Sequence, residues 1–262
     1  MHASTVVKTN RFVFLVRAIR LLLHIAAGLA LSAFYVPLCA ETRKKILIHW
    51  WSAKLIAIFN IQVVVHGDNA SLRSVPSGML LVANHISWID IFALMSHVPL
   101  RFIAKSDIQQ WPLFGYLASK GNVLFIDRSK RQEAKRMSNA LLHHLNAGER
   151  LCYFPEGTTT DGTHLLPFKG SLLQAAINAD AHIQPVAVFY PLEHRAANTL
   201  MAYAGETTML ESMVNILRQR APTVELTFFA PINTATTSHE QRDRRVIADQ
   251  IQQQIQQYLY GK

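Results

Sequence analysis

The sequence predicts an α/β protein, with a mixed or largely parallel sheet flanked by helices and preceded by a membrane-associated helical segment. Two observations lead to this prediction. From about residue 61 onward, short β-rich runs alternate with helical ones, which is typical of strands joined by crossover helices. Before that point the chain instead consists of long apolar stretches with basic flanks. We therefore divide it into a membrane-associated segment, residues 1–60, and an α/β domain, residues 61–262.

The N-terminal segment contains an apolar run of membrane-spanning length. Residues 21–40 carry no formal charge when His24 is neutral. Twenty residues of helix reach about 30 Å, the thickness of the hydrocarbon layer. Residues 49–61 add two tryptophans and a lysine to a further apolar stretch, as an interfacial helix does. A secretory signal peptide fits less well, because the run is long and lacks a small-residue cleavage pattern. A buried core helix is the other alternative.

The remaining elements follow from periodicity and composition. Seven runs have the length and the β-rich composition of strands, at residues 61–67, 78–83, 101–105, 122–127, 151–154, 184–190 and 224–231. Helical patterns lie between and after them, at residues 87–95, 129–149, 169–179, 207–220 and 244–262. Nothing in residues 61–262 resembles a linker or an internal repeat, so we predict one domain there.

The composition is apolar and basic. Half of the 262 residues are hydrophobic and 16% are charged, whereas about a quarter are charged in an ordinary soluble protein. The 26 Lys and Arg against 17 Asp and Glu give a net charge of +9, which should attract nucleic acid or an anionic membrane leaflet. Only two cysteines are present, Cys39 and Cys152, and neither has metal-ligand spacing. These features exclude a disulfide scaffold and indicate a reducing compartment.

The stretch NHISWID, residues 84–90, places several polar side chains between two apolar runs. Each of these groups costs free energy when it is buried without a partner. One interpretation is a helix start, with Ser87 as the N-cap and Asp90 in the first turn, where a carboxylate suits the helix dipole. The other is a catalytic dyad, in which Asp90 holds one ring nitrogen of His85 and leaves the other free as a base. The spacing alone leaves both interpretations open.

Three later stretches favour the dyad. GNVLFIDR ends at Arg128, FPEGT occupies residues 154–158, and Pro185 lies within an apolar run. Together with NHISWID, and in this order, they resemble the glycerolipid acyltransferase family, which includes the 1-acylglycerol-3-phosphate (lysophosphatidate) acyltransferases. The first motif of that family is a His and an Asp separated by four residues, matched here by His85 and Asp90. The fourth motif, around Pro185, is matched loosely, and we place no substrate contact there.

The resemblance implies an O-acyltransferase of phospholipid biosynthesis. Its acyl donor is an acyl thioester, either acyl-CoA or acyl-carrier protein, and no other cofactor and no metal ion are expected. The acceptor is the free hydroxyl of 1-acylglycerol-3-phosphate, and the product is phosphatidate. Another lysolipid, such as lyso-ornithine lipid, would use the same chemistry. In either reaction, neutral His85 takes the hydroxyl proton, while Asp90 fixes the tautomer of the ring and stabilises the imidazolium that forms.

The same resemblance suggests five substrate-binding residues. Arg128 offers a two-pronged contact to the acceptor phosphate that lysine lacks. Glu156 is expected to orient Arg128 or to accept a hydrogen bond from a glycerol hydroxyl. Backbone N–H groups around Gly157 and Thr158 would add donors, because glycine lets a ligand approach closely. Lys105 would contact phosphate or the nucleotide of the donor; the alternative is a solvated surface lysine.

Two other functional classes fit parts of the sequence. A hydrolase could use Ser87, His85 and Asp90, but three groups within a few residues leave little room for a nucleophile–base–orienter line, and no GxSxG elbow is present. A basic protein that binds membranes or lipids without catalysis would leave the His–Asp pair unexplained. No nucleic-acid-binding motif accompanies the basic charge, so nucleic acid is not expected as a partner.

The expected location is the cytoplasmic membrane, with the catalytic domain facing the cytoplasm, where activated acyl donors are found. Basic residues flank residues 21–40 on both sides, at Lys8–Arg20 and at Arg43–Lys45. A single crossing would leave the first cluster on the far side, against the positive-inside rule. We therefore expect a one-sided insertion that bends near Gly28 or Pro37. The partners are membrane lipids, the lysolipid acceptor and the acyl donor, and the sequence leaves the oligomeric state open.

Overall fold

The computed structural model of the chain describes residues 6–67, 78–111, 113–121, 123–126, 131–237 and 242–261. The helices in this part are α1 (Arg11–Ala30), α2 (Glu41–Phe59), α3 (Ile89–His97), α4 (Phe114–Lys120), α5 (Arg131–Asn146), α6 (Leu173–Asn178), α7 (Met209–Leu217) and α8 (Arg244–Tyr260). The strands are β1 (Gln62–Gly67), β2 (Met79–Ala83), β3 (Arg101–Lys105), β4 (Leu124–Ile126), β5 (Arg150–Tyr153), β6 (His182–Phe189), β7 (Thr223–Phe228) and β8 (Ile232–Asn233).

The strands form one mixed sheet in the order β1-β7-β6-β2-β5-β3-β4, with β8 paired to β6. Strands β2 to β6 are mutually parallel, while β7 and β8 run antiparallel to β6, and β1 runs parallel to β7. This arrangement confirms the predicted mixed, largely parallel sheet. Because β2 lies between β5 and β6, the carboxyl ends of these three strands meet at the centre of one sheet edge.

Helices cover both faces of the sheet. Alternation along β2 sends Leu81 to one face and Leu80 to the other, and both side chains are fully buried. The first face packs against α2, α3 and α7, through residues such as Phe59 and Leu94. The second face packs against α5, α6 and α8, where the isoleucines of α8 meet the sheet at Ile247, Ile251 and Ile255.

The first sixty residues fold into a helical hairpin. Helix α1 continues through a π-helical turn and a 3₁₀ turn that contains Pro37, after which α2 returns alongside it. The reversal therefore lies at one of the two predicted bends. Leu21 of α1 and Leu55 of α2 belong to the same core cluster as the sheet residues. The hairpin thus shares a core with the α/β domain, and the division at residue 60 stays a prediction.

Charged and backbone contacts fasten the start of α1 to the domain. Arg17 is 8% exposed and donates to the carbonyl of Gln219 at 2.6 Å and to that of Arg220 at 2.8 Å. Thr9 donates its backbone N–H to the carbonyl of Arg218 at 2.7 Å. The amino end of α1 therefore lies against the α7–β7 loop of the α/β domain.

The seven predicted strands are all present, within three residues of their predicted bounds. The eighth, β8, was missed because two residues are too short to show a periodic pattern. Helix α3 begins at Ile89, two residues later than predicted, with Trp88 at its N-cap position and the Ser87 hydroxyl accepting from the N–H of Ile89 at 3.4 Å. The predicted helix at residues 169–179 is a 3₁₀ turn followed by α6.

Candidate active site

The candidate site lies at the carboxyl ends of β2 and β5, in the middle of the sheet edge where ligands of α/β proteins collect. His85 follows β2 by two residues, and Glu156 follows β5 by three. The loop after β5 crosses in front of β2, since the N–H of Thr160 donates to the carbonyl of His85 at 2.9 Å. The first and third motifs are therefore joined in space through their backbones.

His85 and Asp90 form a hydrogen-bonded pair. Nδ1 of His85 lies 2.8 Å from Oδ2 of Asp90, and the carboxylate is completely buried while the imidazole remains 17% exposed. Because an ionised carboxylate only accepts, Nδ1 carries the proton in this pair. The neutral ring then presents an unprotonated Nε2, which is the atom that a general base requires.

The face of the His85 imidazole also packs against an aromatic ring. The rings of His85 and Phe154 stack with centroids 3.7 Å apart and an angle of 3° between their planes. Phe154 in turn stacks against Phe102 of β3 at 5.7 Å. The first residue of the FPEGT motif therefore fixes the plane of the His85 ring, a role that sequence reasoning did not assign to it.

Asp90 combines the two roles that the sequence left open. Its Oδ2 accepts from the N–H of Ile86 at 2.7 Å and from the N–H of Ser87 at 2.9 Å, in addition to His85. The carboxylate thus closes the turn before α3 and orients the imidazole with the same oxygen. Ser87 is 0% exposed, so its hydroxyl does not meet a substrate, and the hydrolase interpretation loses its nucleophile.

Both carboxylate oxygens of Glu156 accept hydrogen bonds from backbone N–H groups. Oε1 accepts from the N–H of His85 at 2.7 Å and Oε2 accepts from the N–H of Leu166 at 2.9 Å. The side chain is 2% exposed, and this burial raises the pKa of Glu156 above its ordinary value. These contacts give Glu156 the role of tying the β5 loop to the β2 turn. Its predicted contact with Arg128 or a substrate hydroxyl stays a prediction.

The other predicted binding residues lie around the same edge. Gly157 adopts φ of +76°, and its N–H donates to the carbonyl of Phe154 at 3.1 Å, so this glycine is needed for the turn itself. Thr158 is exposed beside it, and Lys105 is exposed at the carboxyl end of β3, two strands from β2. Arg128 lies outside the described residues. Substrate contacts of all four stay predictions.

Two side chains that the sequence analysis did not single out complete the dyad's surroundings. Tyr190, directly after β6, donates its hydroxyl to Oδ1 of Asp90 at 2.5 Å. Asn84 bonds both backbone groups of Val188 through its side-chain amide, at 2.7 and 2.9 Å. The signal for Asn84 was its place next to His85. No sequence signal tied Tyr190 to Asp90, because a hundred residues separate them.

Comparison with known proteins identifies the family of the chain. The acyltransferase family model matches residues 62–189, a range that includes the dyad and the FPEGT motif. A lyso-ornithine lipid O-acyltransferase of Pseudomonas aeruginosa is 34% identical over 257 residues, which cover 96% of this chain and 95% of that protein. The chain belongs to the acyltransferase family.

Other relatives of this acyltransferase carry two different names. A lyso-ornithine lipid O-acyltransferase of Brucella abortus is 30% identical over 95% of this chain and 98% of that protein. A 1-acyl-sn-glycerol-3-phosphate acyltransferase of Neisseria gonorrhoeae is 35% identical over 69% of each chain. The crystal structure of the 1-acyl-sn-glycerophosphate acyltransferase PlsC of Thermotoga maritima has a TM-score of 0.61 at 20% identity, covering 93% of this chain and 98% of that one. This last likeness confirms the fold.

Proposed function

We propose that this acyltransferase moves an acyl group from a thioester to the free hydroxyl of a lysolipid, with His85 as the general base. The observation that carries the proposal is the 2.8 Å contact between Nδ1 of His85 and the fully buried carboxylate of Asp90. This contact leaves Nε2 as the basic nitrogen of a ring that is 17% exposed. A thioester is already activated, so the reaction needs a base for the acceptor and no enzyme nucleophile.

The proposed step is one addition and one elimination. The acceptor oxygen attacks the thioester carbonyl as its proton passes to Nε2 of His85, forming the new C–O bond and an imidazolium. The C–S bond then breaks, and the thiolate leaves as a thiol with the proton that His85 returns. Asp90 stabilises the imidazolium between these events, and a dry site strengthens that attraction because water does not screen it.

The acceptor that we predict from the motifs is 1-acylglycerol-3-phosphate, which gives phosphatidate. Lyso-ornithine lipid is the second candidate, and one observation favours it. The Pseudomonas and Brucella relatives named for lyso-ornithine lipid align over 95% and 98% of their own length, which includes most of the helical hairpin. Two further relatives with that name align over 76% and 70%, and the Neisseria relative named for 1-acylglycerol-3-phosphate aligns over 69%. The donor is acyl-CoA or acyl-carrier protein in either reaction.

The test is acyl transfer by the purified full chain from radiolabelled acyl-CoA and acyl-carrier protein to a panel of lysolipids. The panel contains 1-acylglycerol-3-phosphate, lyso-ornithine lipid and lysophosphatidylethanolamine. Transfer to one lysolipid at a rate at least tenfold above the others identifies the acceptor class. Release of free fatty acid without acceptor would indicate hydrolysis, and no reaction of the thioester with any acceptor would contradict the proposal.

The role of His85 is tested in the same assay. His85→Ala removes the base and should lower kcat/KM by about 10²–10⁴-fold. His66→Ala is the matched control, since His66 also lies near a carboxylate, that of Glu225 at 4.0 Å, but on the outer strand β1. Near-normal turnover of His85→Ala would exclude the dyad as the base.

A further inference from the structure

Tyr190 lies two residues after the loosely matched fourth motif, Pro185–Val188, and has no role in the proposed reaction so far. It follows β6 directly, and its side chain is 1% exposed. Its hydroxyl donates to Oδ1 of Asp90 at 2.5 Å, on the carboxylate oxygen that His85 does not use. Tyr190, Asp90 and His85 therefore form one hydrogen-bonded line that runs from two buried side chains to the partly exposed imidazole.

The position of Tyr190 is set by the residue that precedes His85. Pairing between β2 and β6 ends at Ala83 and Val186. Beyond that point the buried side chain of Asn84 replaces the missing strand, accepting from the N–H of Val188 at 2.7 Å and donating to its carbonyl at 2.9 Å. Two residues further along, Tyr190 points to the same face as Val188 and reaches Asp90.

Three groups, in Tyr190 itself, Cys152 and Glu156, bear on which members of this hydrogen-bonded line carry protons. Burial raises the pKa of the Tyr190 hydroxyl well above its ordinary value, and the charge of Asp90 raises it further, so the phenol stays a donor. Burial likewise raises the pKa of the Cys152 thiol, which therefore places no second negative charge near Asp90. Glu156, the other buried carboxyl near the pair, is engaged by backbone N–H groups.

We propose that Tyr190 is a positioning residue that holds the Asp90 carboxylate in register with His85 and sets how basic His85 is. The proposal rests on the proposed function of the dyad. A donor on Oδ1 draws negative charge away from Oδ2, so the carboxylate stabilises the His85 imidazolium less than it would alone. Without that donor, the imidazolium forms at higher pH and Asp90 is free to rotate.

The experiment compares kcat/KM against pH for the wild type and Tyr190→Phe, with the best acceptor of the panel. Phenylalanine keeps the buried ring and removes only the hydroxyl. We expect the acid limb of the profile to move to higher pH by about half a unit to one unit, and kcat to fall about tenfold, on the scale of one hydrogen bond to a charged group. The KM for the acceptor should stay unchanged, because Tyr190 is buried behind Asp90.

Tyr258→Phe is the matched control. The hydroxyl of Tyr258 also makes one hydrogen bond, with Thr227 at 2.9 Å, but on the α8 face of the sheet. This variant should lose similar stability and keep the wild-type pH profile. A Tyr190→Phe profile that coincides with the wild type, or a Tyr258→Phe profile that shifts equally, would overturn the proposal.

A second replacement of Tyr190 guards against a misfolded variant. Site-specific 3-fluorotyrosine at this position is a stronger donor of nearly the same size, and it should move the acid limb to lower pH, opposite to phenylalanine. An NMR titration of the His85 ring in the same three proteins reads the shift without turnover. The titration would therefore support or refute the role of Tyr190 even if the dyad proved to have another substrate, and a shift in the wrong direction would refute it.

Discussion

Asp90→Asn separates the two jobs that the structure gives to this carboxylate. The fully buried side chain accepts four hydrogen bonds, from His85, from the N–H groups of Ile86 and Ser87, and from the hydroxyl of Tyr190. Asparagine has the same shape. Its amide oxygen can take the place of Oδ2, and its NH₂ group can donate to the phenol oxygen, so the packing should survive.

The expected loss of rate follows from the loss of charge. The imidazolium formed during transfer would face a neutral amide oxygen at 2.8 Å where it now faces a carboxylate. We expect kcat/KM to fall by about 10³-fold, within the range for a disabled general base, which corresponds to about 4 kcal/mol of transition-state stabilisation. The KM for the donor should change little, because Asp90 is not exposed.

The expected loss of stability is smaller. Three bonds to an ionised acceptor become bonds to a neutral one, at a cost of about 1 kcal/mol each, and removing a charge from the interior offsets part of this cost. Urea unfolding should therefore show a decrease of about 1–3 kcal/mol. Asp243→Asn is the control, because Asp243 caps α8 at an exposed position where asparagine also caps, so this variant should keep both its kcat/KM and nearly all of its stability. If Asp90→Asn loses stability but keeps kcat/KM within about threefold of wild type, Asp90 is only a turn residue and the reasoning fails.

Two further predictions concern neighbouring motifs. The raised pKa of Glu156 means that the folded state binds the carboxyl proton more tightly than the unfolded chain does. The protonated carboxyl therefore contributes to stability below the ordinary pKa of 4.5, and this contribution is lost as pH rises through the folded pKa. Urea unfolding of Glu156→Gln should accordingly show a flatter dependence on pH above 4.5, and parallel curves for variant and wild type would contradict the burial of an ionisable group. Arg128→Lys should raise the KM for the acceptor about tenfold and leave the KM for the donor near wild type, since the charge remains but the two-pronged contact is lost. An equal rise in both KM values in steady-state kinetics would mean that Arg128 serves the fold or the donor instead.

Most of the architecture could be predicted from local patterns. Strands such as β2 are fully buried runs between polar turns, and the α8 isoleucines repeat at helical spacing, so burial leaves a signature in the sequence itself. The predicted start of α3 was wrong by two residues, because Ser87 has the residue type and the position of an N-cap. In the structure, the backbone N–H groups of Ile86 and Ser87 in that turn donate to the carboxylate of Asp90.

The candidate site was predictable only where its parts are close in sequence. His85 and Asp90 are five residues apart, and their pairing follows from one turn of chain. The contacts that fix the pair come from elsewhere: Phe154 stacks on the imidazole across 69 residues of sequence, and Tyr190 reaches Asp90 across 100. Such contacts depend on which strands are neighbours in the sheet. The strand order, with β2 between β5 and β6, cannot be predicted from the sequence pattern of any one strand.

The helical hairpin supplies the last prediction, which concerns its side of the membrane. One helical stretch, Arg11–Leu38, is long and apolar enough to cross a bilayer by length and composition. The contacts of Arg17 and Thr9 with the α7–β7 loop nevertheless require the start of α1 and the catalytic domain to lie on the same side. A single crossing, with the start of α1 and the catalytic domain on opposite sides, would break them and would leave Arg17 without its carbonyl acceptors. A one-sided insertion keeps them, and it immerses apolar side chains that the protein leaves uncovered, including Phe12, Leu22, Phe34 and Leu38 at 67–86% exposure.

Thiol labelling in intact cells decides between the two arrangements. Thr5→Cys and, separately, Glu206→Cys are made in a background with Cys39→Ser, and each is treated with a membrane-impermeant maleimide before and after permeabilisation. Glu206 is exposed on the catalytic domain, so it reports the side on which that domain lies. The one-sided insertion predicts the same behaviour for both positions, with protection in intact cells and labelling once the membrane is opened. Labelling at position 5 from outside, with position 206 still protected, would mean that the stretch crosses the bilayer and that the contacts of Arg17 do not persist in the membrane.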